Sequence, residues 1–196
     1  GVIVRRSRAE QNVAGIEIEN ALNADVYDNV ATGNTGGILV FNMPGLSQQG
    51  GNIRVYDNKV VANNHENFGS KGRPVASVPE GSCIVINSNE DMEIFGNESR
   101  DNATANIIVA SVYSTGYKDS SASPNFDPYP ERIYVHGNKL SCGGDSPDRK
   151  DFKALKLAMY GRCGRFPVVL WDGYFNMDRQ IDRQPAGTWL TCLINV

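Results

Sequence analysis

The sequence predicts an all-β fold: a right-handed parallel β-helix (solenoid) with inserted loops and one short C-terminal helix. Three observations predict it. An apolar alternation recurs five times, asparagines follow it at a fixed offset, and a second family of strands lies between the copies. The alternation ends at Val4, Val26, Val55, Ile94 and Val135, and three positions later stand Ser7, Asn29, Asn58, Asn97 and Asn138. Five further on come Asn12, Asn34, Asn63, Asn102 and Gly143. The second strand family reads "GIEIEN", "GILVFN", "GSCIVIN" and "NIIVAS".

Units that cannot bury their apolar face singly are stabilised by stacking, and a recurring pattern is the signature of that. The copies are spaced 22 residues apart from Val4 to Val26, then 29, 39 and 41, which fits a coil near 22 residues with loops inserted in the later ones. Alternation rich in Val and Ile argues for strands rather than for the helices of an ankyrin or leucine-rich array. The asparagines are expected to stack at the turns, since Asn tolerates left-handed backbone angles and its amide can bond to the coil above or below. Asparagines that merely marked surface loops would show no fixed offset.

In chain order, the first strand opens directly on Val2 and Val4 with nothing ahead to cover the coil's interior, so the native chain is expected to extend before residue 1. The first residue is Gly, and no signal peptide is visible, as in a trimmed product. Loops are inserted at 43–51, 65–81 and 112–132; aperiodic loops of this length carry function or cover apolar surface. Near the C-terminus "SPDRKDFKALKLAMYG" predicts a helix capped by Ser146, with Pro147 in its first turn, Phe152, Leu155 and Met159 on one face, and Gly161 at its end. Beyond it "PVVLWDGYFN" and "TWLTCLIN" resume strand character. Residues 1–144 thus read as coils with loop insertions, and 145–196 as the helix with continuing coils or a cap of the same domain.

Lys and Arg total 19 against 22 Asp and Glu, a net charge of −3 that argues against nucleic acid or an anionic membrane as partner. No apolar run is long enough for a transmembrane segment. The four cysteines lack C-x-x-C spacing and nearby histidines, which argues against zinc; no metal ligands and no cofactor are assigned. Cys83 aligns with Ile16, Ile38 and Ile107 at an inward position and reads as a small buried hydrophobe. Cys142 can pair with Cys163 if the protein is exported, with Cys192 the rival partner.

Two outward surfaces follow from the alternation. On the second strand family, the outward pairs read Glu17 and Glu19, Leu39 and Phe41, Ile84 and Ile86, Ile108 and Ala110, a largely apolar column expected to lie under the loops or the C-terminal segment. On the asparagine-bearing strands, one column reads Ile3, Asp25, Arg54, Glu93, Tyr134 and its neighbour Arg5, Tyr27, Tyr56, Phe95, His136. Acid, base, acid in successive coils suggest an ion-pair ladder beside a stack of rings. This is ordinary solenoid stabilisation. It is equally how a flat carbohydrate site would look, which makes Tyr27, Arg54, Tyr56, Glu93, Tyr134 and His136 the candidate ligand-binding residues. The strip is expected to stay partly open.

The Asn-marked coils, together with "GGILVFNMPGL", "NFGSKG", "DPYPERIYVHGN" and "FPVVLWDGYFN", resemble a bacterial family of parallel β-helix repeat-containing proteins of uncharacterised function. Nearly the whole chain is covered, although family members begin with coils that are missing here. Such repeats also occur in pectate lyases, epimerases and periplasmic copper-delivery proteins. The family carries secretory or lipoprotein signals and tends to be encoded beside a second exported protein, sometimes cytochrome-like. The resemblance therefore implies a periplasmic, outer-surface or extracellular location and an exported protein partner. It transfers no catalytic residue.

Three classes of function follow. A lyase or epimerase needs a base near a cation at the sugar carboxylate, and Arg54, Glu93 and His136 form the best local constellation. A hydrolase needs two carboxylates about 5–10 Å apart, which Glu17 and Glu19 meet crudely. A scaffold or binding module presenting loops to an envelope partner needs no special residues. That reading is preferred here, with a polysaccharide-active protein as the alternative.

Overall fold

In the computed structural model the described residues are 1–115, 126–181, 184–185 and 192–194, the last few from 179 onward by backbone alone. Among the described residues the chain is mostly β, with one α-helix and three parallel sheets whose strands stack coil over coil, consistent with a parallel β-helix. The first sheet stacks Val2–Arg5, Leu22–Tyr27, Gly51–Tyr56, Glu90–Phe95, Glu131–His136 and Cys192–Ile194. The second contains Arg8–Glu10, Val30–Thr32, Lys59–Val61, Glu98–Arg100 and Lys139–Ser141. Ala14–Glu19, Gly36–Phe41, Ser82–Asn87, Ala105–Ala110 and Val169–Trp171 make the third. The strands after the helix thus join the existing sheets, Val169–Trp171 on the third and Cys192–Ile194 on the first.

The predicted inward stack is present: Val4, Val26, Val55, Ile94 and Val135 occupy one register, and all but Val4 are fully buried. Isoleucines 38, 53, 84, 86, 94, 107 and 133 fill the same continuous core. At one corner Asn29, Asn58, Asn97 and Asn138 form a ladder. The Nδ2 of each of the first three donates to the next Oδ1 at 2.9–3.0 Å and to a strand carbonyl of the preceding coil, and Asn138 Nδ2 donates to the Ile94 and His136 carbonyls. A second ladder links Asn12, Asn34, Asn63 and Asn102. The left-handed residue, however, is the one in front of each ladder position: Arg6, Asp28, Asp57, Gly96 and Gly137 at the first corner, Gln11, Gly33, Ala62, Asp101 and Cys142 at the second. The asparagines themselves supply amides, and the preceding residue makes the turn.

The third sheet corrects the predicted register at one strand. Ser82 pairs with Gly36 and Ile84 with Ile38, so Cys83 lies level with Gly37, and Ile84 and Ile86 point inward, fully buried. The outward column is instead Glu17, Leu39, Val85, Ile108 and Leu170, with Glu19, Phe41, Asn87 and Ala110 beside it. A one-residue slip moves every side chain to the opposite face. Cys83 is nonetheless buried, because two successive residues face inward where the second and third sheets meet.

The helix, α1, spans Lys150–Tyr160 and ends at Gly161, whose φ of 70° suits a residue without Cβ. Ser146 does not cap it. The Ser146 N–H bonds the Ala103 carbonyl and the Asp148 N–H the Thr104 hydroxyl, so coil contacts hold 146–148 away from the helix and it starts one turn later. Phe152 and Tyr160 pack edge-on against the buried Phe166, whereas Met159 stays 63% exposed rather than sharing that face. Among the described residues no helix is long and apolar enough to cross a membrane.

Cys142 and Cys163 are exposed free thiols, and the Cys192 side chain lies outside the described residues, as does the middle of the 112–132 loop. Burial pushes the Cys83 thiol up to about 12, despite the Ser99 hydroxyl that donates to it at 2.6 Å. Native protein treated with iodoacetamide at pH 8 is therefore expected to be alkylated at Cys142 and Cys163 and not at Cys83 until it is denatured. Peptide mass mapping checks this, and labelling of native Cys83 at a comparable rate would refute the packing described.

Candidate functional site

The six predicted residues do come together on the outer face of the first sheet. Asp25, Arg54, Glu93 and Tyr134 are register partners, as are Tyr27, Tyr56, Phe95 and His136. The strip is partly open, with Arg54 and Tyr134 exposed and the rings intermediate. Its charges are divided into pairs rather than shared along a ladder. Arg54 forks onto Asp25, Nε to Oδ1 at 2.7 Å and Nη2 to Oδ2 at 2.8 Å, while Glu93 Oε1 lies 3.0 Å from His136 Nε2. The Arg54 guanidinium bonded to Asp25 holds that carboxyl below the usual carboxylate range. The lyase-like trio of Arg54, Glu93 and His136 is thereby split, its cation committed to a fourth residue.

The rings stack on one another. Tyr27 and Tyr56 lie 4.8 Å apart at 7°, Tyr56 and Phe95 4.9 Å at 4°, Phe95 and His136 5.2 Å at 4°, and Tyr134 also stacks on His136 at 4.3 Å. Ring faces are consequently turned along the stack and ring edges toward solvent. A pyranose needs a free face, so this geometry favours side-chain cohesion over sugar stacking.

A different feature lies over the third sheet, where a cavity of about 380 Å³ opens. Its floor is the corrected outward column, Leu39, Val85, Ile108 and Leu170, with Phe41 and Ala110 beside it. The inserted loop around the 3₁₀ turn Pro74–Ser77 and α1, through Phe152 and Leu155, line it as well, with Trp171 at its edge. The apolar column is thus walled rather than sealed, and Leu155 and Trp171 remain 44% and 43% exposed at the lips. Volume and lining match a small-molecule site. Polar groups at the rim are mostly committed: Arg149 forks onto Asp151, and Asp172 accepts from Ser111 N, Ser114 Oγ and Tyr174 N. Among the charged groups that line the cavity, Glu17 is the exception. It makes no hydrogen bond or ion pair among the described residues, and its carboxyl is raised above the usual carboxylate range by desolvation at the groove and then by Glu19. The Glu17 and Glu19 pair does share one face, as the hydrolase reading required, yet only Glu17 lines the cavity.

A third grouping, Glu90, Asp127 and Glu131, places carboxylate oxygens within 4.8 Å of one another, a donor set suited to a hard cation. Arg132 already serves it, with Nη2 2.5 Å from Glu90 and Nη1 3.6 Å from the buried Glu131. Glu90 and Glu131 are register partners four positions ahead of Ile94 and Val135, so the aligned sequence could have placed them side by side; Asp127 arrives from a loop and could not be foreseen.

Compared with known proteins, the chain matches no family model, no curated protein and no solved structure.

Proposed function

We propose that this protein is a non-catalytic binding module of the cell envelope, a right-handed β-helix scaffold that holds its ligand in the groove over the third sheet. The observation that carries the reading is the groove itself: an apolar floor on rigid strands, walled by the inserted loop and α1 and left open at the top. A rigid solenoid fixes that floor without ligand-induced reorganisation, which is how preorganisation favours binding. The envelope location and an exported partner rest on the resemblance to β-helix repeat proteins. The outward strip serves cohesion between coils, since its charges are paired and its ring faces stacked.

The neutral dye Nile red is expected to bind in a saturable manner to the protein and not to a Val85→Trp variant, whose indole fills the groove. Acidic and neutral oligosaccharides are expected to show no specific affinity, and uronate polymers no cleavage. Millimolar or tighter sugar binding, about −4 kcal/mol or better, that disappears in an Arg54→Ala, Tyr56→Ala variant would overturn the proposal in favour of a polysaccharide-active protein working through the strip.

A further inference from the structure

Along the groove floor the outward column runs across all five strands of the third sheet: Glu17, Leu39, Val85, Ile108, Leu170. Four steps at the spacing of parallel strands make it about 19 Å long. Over that length the cavity holds only about 380 Å³, and Val75, Val78, Phe152 and Leu155 also line it. The shape fits an extended single chain better than a compact ring system.

The two ends differ. At the Leu170 end, Asp172 already accepts three hydrogen bonds from Ser111, Ser114 and Tyr174, so it offers little to a ligand head group. Arg149, the cation on the rim, is held by Asp151 in a two-point fork at 3.2 and 3.0 Å. At the other end Glu17 lacks any such partner among the described residues, and Glu19, two positions on, adds a second carboxylate to the same outward face. An anionic head group would meet repulsion there, and a neutral one would leave the carboxylates as they are. A cationic head would be attracted by both.

We infer that the groove takes a single-chain apolar amine, its hydrocarbon lying on Leu39, Val85 and Ile108 and its ammonium against the Glu17 carboxylate. This rests on the groove being the binding site, and it adds the chemical class of the ligand. The alkyl part supplies affinity through apolar area removed from water. The ammonium supplies direction and selectivity, as one partly exposed charge pair does. Glu17 stands at an exposed strand position, so replacement by the isosteric Gln removes the charge and leaves the scaffold intact.

The test is calorimetric titration of the full chain with decylamine, decanol and decanoate at pH 7, repeated with Glu17→Gln and Val85→Trp. Decylamine is expected to bind most tightly and decanoate least. Glu17→Gln is expected to weaken decylamine about fivefold while leaving decanol unchanged, the size of one partly exposed charge pair. Added salt should weaken the amine alone. Decanoate binding as tightly as decylamine, or a Glu17→Gln variant with unaltered amine affinity, would overturn the assignment of an amine while leaving the groove as the site. Failure of all three ligands to bind, or binding undiminished in Val85→Trp, would overturn the groove reading with it.

Discussion

Replacing Asn58 by alanine is expected to lower the thermal unfolding midpoint by about 6–12 °C, which for a chain of this size corresponds to a loss of about 3 kcal/mol. Asn58 is 2% exposed and sits in the middle of its ladder. Its Oδ1 accepts from the Asn29 N–H at 3.1 Å and from Asn29 Nδ2 at 3.0 Å; its Nδ2 donates to the Val26 carbonyl at 2.8 Å and to Asn97 Oδ1 at 3.0 Å. Alanine leaves the Asn29 N–H without its acceptor and withdraws a donor from Val26, and each buried group so stranded costs about 1–3 kcal/mol. The exposed Asn64, bonded to Asp101 and Ala103, is the control, with an expected change within about 1 kcal/mol. Differential scanning calorimetry of both variants checks the pair. Equal midpoints for Asn58→Ala and the unaltered protein would mean the ladder contributes nothing beyond what water supplies.

The ladder was legible in the sequence because it repeats. Each coil contributes the same amide at the same offset from an inward Val or Ile, so five imperfect copies reinforce one another. The same redundancy placed Asp25 beside Arg54 and Tyr27 beside Tyr56. Two kinds of information were not legible. Side-chain choices among equivalent neighbours were one: nothing in the columns says that Arg54 turns to Asp25 and Glu93 to His136, because each could reach a partner on either adjacent coil. Contacts made by unrepeated segments were the other. The groove is walled by the Pro74–Ser77 turn and by α1, whose positions follow from tertiary bonds such as Ser146 to Ala103 and Asp148 to Thr104 that override a local capping signal. The acid trio falls between these cases, since two of its members sit in register and the third comes from a loop.

Substituting Gly37 by alanine is expected to destabilise the fold by about 3 kcal/mol through overpacking, and the same feature explains the misread strand. A Cβ built on Gly37 would overlap Val60 Cγ1, lie 2.6 Å from the Cys83 carbonyl oxygen and 3.0 Å from Asn63 Nδ2. All three neighbours are fully buried and belong to the next coil in the stack, so none can withdraw into solvent. A Cβ on Gly15, on the same level one coil away, would likewise lie 2.6 Å from the Gly37 carbonyl oxygen. These positions, with Cys83 and Asn106, face inward immediately before the inward Ile38 and Ile84, so strict alternation fails at this corner and a count carried across it shifts by one. Gly33 separates the two reasons for a glycine. Its φ is 65° and an added Cβ would meet nothing within 4 Å, so Gly33→Ala meets only the left-handed backbone cost of about 1–2 kcal/mol. Chemical denaturation of the two variants should therefore rank Gly37→Ala as the more damaging. The reverse order would show that the corner yields to an added methyl, and that the break in alternation is set by the turn rather than by the packing of Val60, Asn63 and Cys83 against the Gly37 backbone.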